Sequence, residues 1–195
     1  MSTKIRFNNI FQFGNHKLPK TIAIFNLPCR ITCPRSTPYC RKICYARKAE
    51  RLYPNVIPYR FEMYRLSRRS DFVDIINDEL RSTPIETVRI HESGDFYSQE
   101  YVNKWIQIAY DNPAVIFYAY TKSYHLDFSQ RSLNFIIRLS LDKTSSQQAK
   151  NSTHKFDGVA WTVDRGETGP GFKCPMDCRI CDYCLQPGDV YFEKH

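Results

Sequence analysis

The chain lacks any apolar run of about 18 residues, the length that crosses a bilayer, which excludes a membrane-spanning helix. It also lacks a secretory leader pattern: the opening MSTKIRFNNIFQFGNHK is interrupted by Asn, Gln, Gly and His before an apolar stretch can form. A reducing, cytoplasmic setting is therefore expected, and with it little use for disulfides. There is no internal repeat, so a solenoid is excluded. Acidic residues are scarce in one place. Between Arg30 and Arg69 eleven Lys or Arg face only Glu50 and Glu62, giving this stretch +9 while the remainder of the +8 chain carries about −1. Tyr39, Tyr45, Tyr53, Tyr59, Phe61 and Tyr64 are interleaved with those bases. Cations mixed with aromatics suit phosphate neutralisation and base stacking, so nucleic acid or a phosphate-bearing small molecule is a candidate partner. The competing reading is a solvated basic helix pair whose aromatics face the core.

Cysteine is what the chain has in abundance. Eight residues fall into two tight groups: Cys29, Cys33, Cys40 and Cys44, then Cys174, Cys178, Cys181 and Cys184. At 195 residues the chain can bury one ordinary core and needs no covalent staples. The groups therefore read as two metal or iron-sulfur sites. Zinc knuckles favour paired C-x2-4-C units with a longer spacer. Four cysteines within eleven residues, as in Cys174 to Cys184, instead resemble a loop wrapped round a cuboidal [4Fe-4S] cluster. Thiolates hold either metal, so iron-sulfur is favoured and zinc remains the alternative.

Strand and helix signals alternate along the rest of the chain. Strands are predicted at Thr21–Phe25, Thr87–His91, Val115–Tyr120, Phe135–Leu141, Gly158–Val163 and Gly188–Phe192. Helices are predicted at Ile43–Leu52 and Tyr59–Arg69, separated by Pro54 and Pro58; a third starts behind Ser70 or Asp71, and a fourth spans Ser98–Tyr110. The polar run Asp142–Lys155 reads as a surface loop. Such alternation predicts an α/β fold with a mostly parallel sheet. The chain is too short for a closed eight-unit barrel, so an open, partial TIM-like barrel with a C-terminal cysteine-rich metal-binding extension is expected. One domain would cover residues 1–195, with a cysteine loop and basic helices at 27–69, an α/β core at 70–165 and the cysteine-rich segment at 166–195.

Ligands of parallel α/β proteins gather at the carboxyl ends of strands. Glu92, Ser93, Gly94 and Asp95 follow one predicted strand, Thr121 and Lys122 another, and Ser140 and Asp142 a third. The first cysteine group follows a fourth. His91 sits among them, and reads as a hydrogen-bonded structural histidine before it reads as an acid, base or ligand.

The segment Cys33-Pro34-Arg35-Ser36-Thr37-Pro38-Tyr39-Cys40-Arg41-Lys42-Ile43-Cys44 resembles the cluster loop of phage-encoded radical-SAM-like proteins. Wider strings, among them Arg89-Ile90-His91-Glu92-Ser93-Gly94-Asp95 and Tyr118-Ala119-Tyr120-Thr121-Lys122-Ser123, are similar to the phage gene-product-88 family. The radical-SAM resemblance implies a [4Fe-4S] cluster on Cys33, Cys40 and Cys44 with one iron left open for S-adenosylmethionine. It implies that Glu92 to Asp95 receive the methionine amino group, and that Thr121, Lys122, Ser140 and Asp142 contact ribose or carboxylate. The spacing departs from the usual C-x3-C-x2-C, and Cys29, as a fourth ligand, would close the open iron. The alternative class is a non-catalytic protein with two closed four-cysteine sites, zinc or iron-sulfur, that binds nucleic acid through Arg41, Lys42, Arg47 and Lys48.

Overall fold

The computed structural model describes residues 10–194. The first nine residues, half of the stretch read above for a leader, and His195 lie outside the described part.

Strands β1 (Gln12–Phe13) and β2 (Ile22–Phe25) are followed by helices α1 (Pro38–Lys42), α2 (Tyr45–Leu52), α3 (Val56–Ser67) and α4 (Phe72–Ser82). Then come β3 (Thr87–Ile90), α5 (Gln99–Asp111), β4 (Ile116–Thr121), β5 (Phe135–Asp142), α6 (Gln147–Lys150) and β6 (Gly158–Val163). Strands β7 (Phe172–Lys173) and β8 (Val190–Glu193) close the chain. The eight strands form one sheet in the order β1-β2-β3-β4-β5-β6-β8-β7, and every pairing is parallel except β1 with β2.

From β2 to β6, neighbours in sequence are neighbours in space. Parallel crossovers are right-handed almost without exception, so a sheet wound steadily in one direction collects its helices on one face. That face is the main core. Phe25, Val88, Ile90, Phe117, Phe135 and Ile137 meet Met63 and Leu66 of α3, Phe72 and Ile76 of α4, and Tyr101 and Trp105 of α5. Because side chains alternate along a strand, the intervening residues point the other way. Ile22, Ile24, Tyr118 and Ile136 form a second, smaller core, covered by Leu18 and by Cys178, Cys184 and Leu185.

The C-terminal segment is thus less an appended extension than a cover for the opposite face, and it also supplies β7 and β8 to the sheet. The sheet is mixed and open at β1 and β7.

Local chemistry accounts for the boundaries that differ from expectation. The helix predicted over Ile43–Leu52 splits. Thr37 caps α1 by accepting the Cys40 amide, Pro38 occupies its first turn, and Cys44 stands extended at the N-cap of α2. Helix α3 begins at Val56, ahead of Pro58, because proline is tolerated in a first turn where its missing N–H costs nothing. The polar run 142–155 is partly ordered. Ser146 caps α6 through the Ala149 amide, and Ala149 is buried. No helix of the described residues is long and apolar enough to cross a membrane.

Candidate functional site

The loop after β2 carries the first cysteine group across the carboxyl end of the sheet, and each strand end helps to hold it. At β2 and β3, the Asn26 side-chain oxygen accepts the amides of Glu92 and Ser93, both at 2.9 Å, while the Ser93 hydroxyl donates to the Leu27 carbonyl at 2.8 Å. Gly94 turns there with φ +89°, and a Cβ would stand 2.6 Å from that of Leu27. Only glycine meets both demands.

Asp95 is buried beneath the loop. One of its oxygens accepts the Thr121 hydroxyl at 2.6 Å and the Phe96 amide at 2.7 Å; the other accepts the Lys122 amide at 2.8 Å. Burial still prevails over these bonds and pushes its carboxyl up to about 6. Glu92 is partly exposed and accepts the Asn15 side-chain amide at 2.6 Å.

Asp142 is the hub at β5. The Lys122 ammonium (2.8 Å) and the Thr37 hydroxyl (2.6 Å) donate to one carboxylate oxygen, and the amide and hydroxyl of Thr144 donate to the other. Burial works against this charge, but Lys122 and the hydroxyls outweigh it and hold the carboxyl below its ordinary value. Lys122 also donates to the Ser140 carbonyl at 3.0 Å. At β6, Tyr39 of the loop donates to Asp164 at 2.7 Å.

Cys33, Cys40 and Cys44 are partly exposed beside these groups. Burial pushes Cys33 up to about 12, with Asp95, Cys40 and Cys44 adding to the effect, and pushes Cys40 up against the pull of Lys122. Cys29 is buried and differently employed. Its amide and its thiol both donate to Glu50, at 2.9 and 3.0 Å, and Glu50 is paired at 2.8 Å with the buried Arg60. The neighbouring Cys29 and Cys44 thiols also act on one another, which raises Cys29 and lowers Cys44 to about 6. The Ala46 and Arg47 amides at the start of α2 favour the Cys44 thiolate further, without closing a capping hydrogen bond.

The sequence-predicted site residues are therefore brought together, but with two kinds of duty. Ser93, Asp95 and Thr121 are consumed in stitching strand ends. Lys122 and Ser140 border a cavity of about 250 Å³, shared with Arg35, Ser36, Thr37 and Thr144, and Asp142 holds Lys122 and Thr37 at its edge. Glu50, Arg60, Thr37 and Tyr39 were missed by sequence reasoning. The run Ser36-Thr37-Pro38-Tyr39-Cys40, a cap followed by a first-turn proline, was the available signal for the last two.

His91 belongs to the core, its Nε2 2.9 Å from the Tyr101 hydroxyl and its ring edge-on to Phe96. Arg41, Lys42, Arg47 and Lys48 are all exposed on α1 and α2, beside exposed Tyr45, Leu52 and Tyr53. The remaining aromatics of that stretch turn inward: Tyr39 is buried, and Tyr59 and Tyr64 pack on the main core.

The second group lies against the inner sheet face. The Tyr120 hydroxyl sits 2.6 Å from Cys184 Sγ, and the Cys178 amide donates to the Lys17 carbonyl at 2.9 Å. Among the described residues, no three His, Cys, Asp or Glu side chains are gathered about one point as ligands of a metal ion would be.

A singly wound α/β sheet with one cysteine loop across its carboxyl end and a second on its inner face defines the class. The chain belongs to the gene product 88 family, whose model matches residues 5–186. It is 30% identical over 180 residues to the Gene 88 protein of Mycobacterium phage L5, a match covering 82% of this chain and 74% of that one. It is 32% identical over 102 residues to the Gene 88 protein of Mycobacterium phage D29, covering 47% and 42% respectively. No solved structure matches.

Proposed function

We propose that this chain is a radical-SAM-like iron-sulfur protein that holds a [4Fe-4S] cluster through Cys33, Cys40 and Cys44 and takes S-adenosylmethionine beside it. The carrying observation is the anchoring of one cysteine loop to successive strand ends, through Asn26, Asp142 and Asp164, with a polar cavity at its flank. The donor set suits the group: three soft thiols, none of them engaged by a carboxylate as Cys29 is by Glu50. When bound, such a cluster supplies an electron for reductive cleavage of the sulfonium.

The chain's own residues would bind and orient. Arg35 and the largely buried Lys122 that Asp142 holds offer charge to a carboxylate or phosphate, and Ser36, Ser140 and Thr144 offer hydroxyl contacts. The cavity is small beside ligand sites of roughly 300–1,000 Å³, so a nucleoside would be admitted only as the loop moves.

Protein reconstituted with iron and sulfide without oxygen should be brown and release 5′-deoxyadenosine from S-adenosylmethionine after dithionite reduction. Cys29→Ala should leave its iron content unchanged. Zinc at both groups with no iron uptake would end the proposal.

The second reading, closed metal sites on a polyanion-binding protein, is favoured by one observation: the outward placement of Arg41, Lys42, Arg47 and Lys48 beside exposed tyrosines. It requires binding to single-stranded nucleic acid that weakens steeply with salt, and whose salt slope flattens when the four become Ala. No binding at about 50 mM salt would dismiss it.

A further inference from the structure

Two guanidinium groups face the second cysteine group with no carboxylate paired to either. Arg138, at the middle of β5, is completely buried. It donates to the carbonyls of Tyr183, Cys184, Gln186 and Gly188, all within the C-terminal segment. Arg89, on β3, points to the same face. Its guanidinium lies 4.1 Å from the ring centre of Tyr120 and 4.9 Å from that of Tyr118, and its Nε donates to the His91 carbonyl at 3.4 Å. Among the described residues neither arginine forms an ion pair. Glu92, whose field reaches Arg89, is held by Asn15, and the charge of Lys17 near Cys174 and Cys178 offsets it.

A buried cation without a counter-charge is costly, and carbonyl dipoles or ring faces recover only part of the loss. Both arginines lie beside the second cysteine group. Cys178 and Cys184 pack on the cluster that includes Tyr118, whose ring Arg89 covers; Cys184 supplies one of the carbonyls on Arg138; and Tyr120, whose ring Arg89 also covers, offers its hydroxyl to Cys184 Sγ. Four thiolates around a doubly charged ion or a doubly charged iron-sulfur cube leave a net dianion. Two guanidiniums cancel it.

We infer that Cys174, Cys178, Cys181 and Cys184 form a closed, dianionic four-thiolate site for a [4Fe-4S] cube or a zinc ion, charge-balanced by Arg89 and Arg138, which clasps the C-terminal segment to the sheet. The inference extends the metal reading to this group and stands without the first group or S-adenosylmethionine. With every thiol spent on the metal, this site binds no substrate.

The full chain carrying Cys33→Ala, Cys40→Ala and Cys44→Ala isolates the second group. Offered iron and sulfide without oxygen, or zinc and cobalt in separate titrations, it should take up about four irons or one divalent ion. Arg89→Gln should weaken that affinity by about tenfold or more, and Arg89→Lys should largely restore it. Metal-free Arg89→Gln should melt no lower than its parent, since it removes a charge that nothing balances until metal arrives. A purely structural arginine would lower metal-free and loaded stability together, and that outcome overturns the inference. So does a loaded site whose affinity ignores residue 89. If the second group takes no metal while a chain lacking Cys174, Cys178, Cys181 and Cys184 still does, this inference falls and the proposed function stands. Should the triple-alanine chain fail to fold, cobalt titration of the otherwise unaltered chain with and without Arg89→Gln should weaken one of two sites only. Equal affinities there would refute the charge balance.

Discussion

His91 and Asp95 lie four residues apart and titrate in opposite senses. Burial, reinforced by Arg89, holds the His91 imidazole neutral, down to about 3. An unfolded chain would protonate it near 6.5, so acidification from about pH 6.5 toward 3 favours unfolding. Asp95, raised to about 6 by burial, does the reverse. The native state takes its proton before the unfolded chain, whose carboxyl titrates near 3.9, so stability rises as pH falls from about 6 to 4. Urea unfolding of His91→Asn at pH 7, 5.5 and 4.5 should therefore show a weaker acid loss than the parent, or an acid gain. Asparagine also tolerates the left-handed backbone at this position, φ +66°. An unchanged acid slope would mean that His91 is not held neutral. Gly94→Ala adds strain to collision, and should cost about 3 kcal/mol in denaturant unfolding. At this scale the sequence was legible where chemistry is local, as in the Glu92-to-Asp95 run at a strand end, and Thr37 before Pro38 was a local signal left unread. It was mute where charges pair at a distance. Glu50 and Arg60 read as surface residues of a basic stretch, and nothing in their spacing announces that they anchor Cys29.

Strands rich in Ile, Val and Phe were readable almost to the residue, β6 at the same bounds and β3 and β5 within one, because buried parallel strands are continuous apolar runs. The helices around the cysteines were less so, since α1 and α2 are separated by a capping turn that a hydrophobic period cannot reveal. Nor does every crossover carry a helix: β4 passes to β5 through loop 122–134 alone. Two tests belong to elements. Trp105 packs α5 edge-on to Phe25 and Phe72 at 5.3 and 5.6 Å, so Trp105→Ala should cost about 3–5 kcal/mol. Asp142→Asn strands Lys122, whose side chain is only 11% exposed, and detaches Thr37 from β5. A loss of about 3–5 kcal/mol is expected, with faster proteolysis of the 33–44 loop. Equal proteolysis rates would show that Asp142 does not anchor that loop.

For the molecule as a whole, the alternation of strand and helix signals foretold a mostly parallel α/β sheet, and the sheet is present. That the second group would turn back across the sheet was hidden, because the segment is held by Arg138, which in sequence is simply a polar interruption of a strand. One expectation follows at this scale. Under the proposed function, metal binding and closing of each thiol group round its metal should be one event. Anaerobic loading should raise the melting midpoint and slow hydrogen exchange at 29–44 and 174–186 together with metal uptake. Uptake without such protection would mean that metal binds elsewhere.

The two borders of the sheet, β1 and β7, are each only two residues long, and Phe172 of the latter lies flat on Tyr183 at 4.4 Å. So short a margin presents few unsatisfied amides and carbonyls to a neighbour. Even concentrated samples should resist joining edge to edge into fibrils, despite a sheet whose interior is strongly apolar.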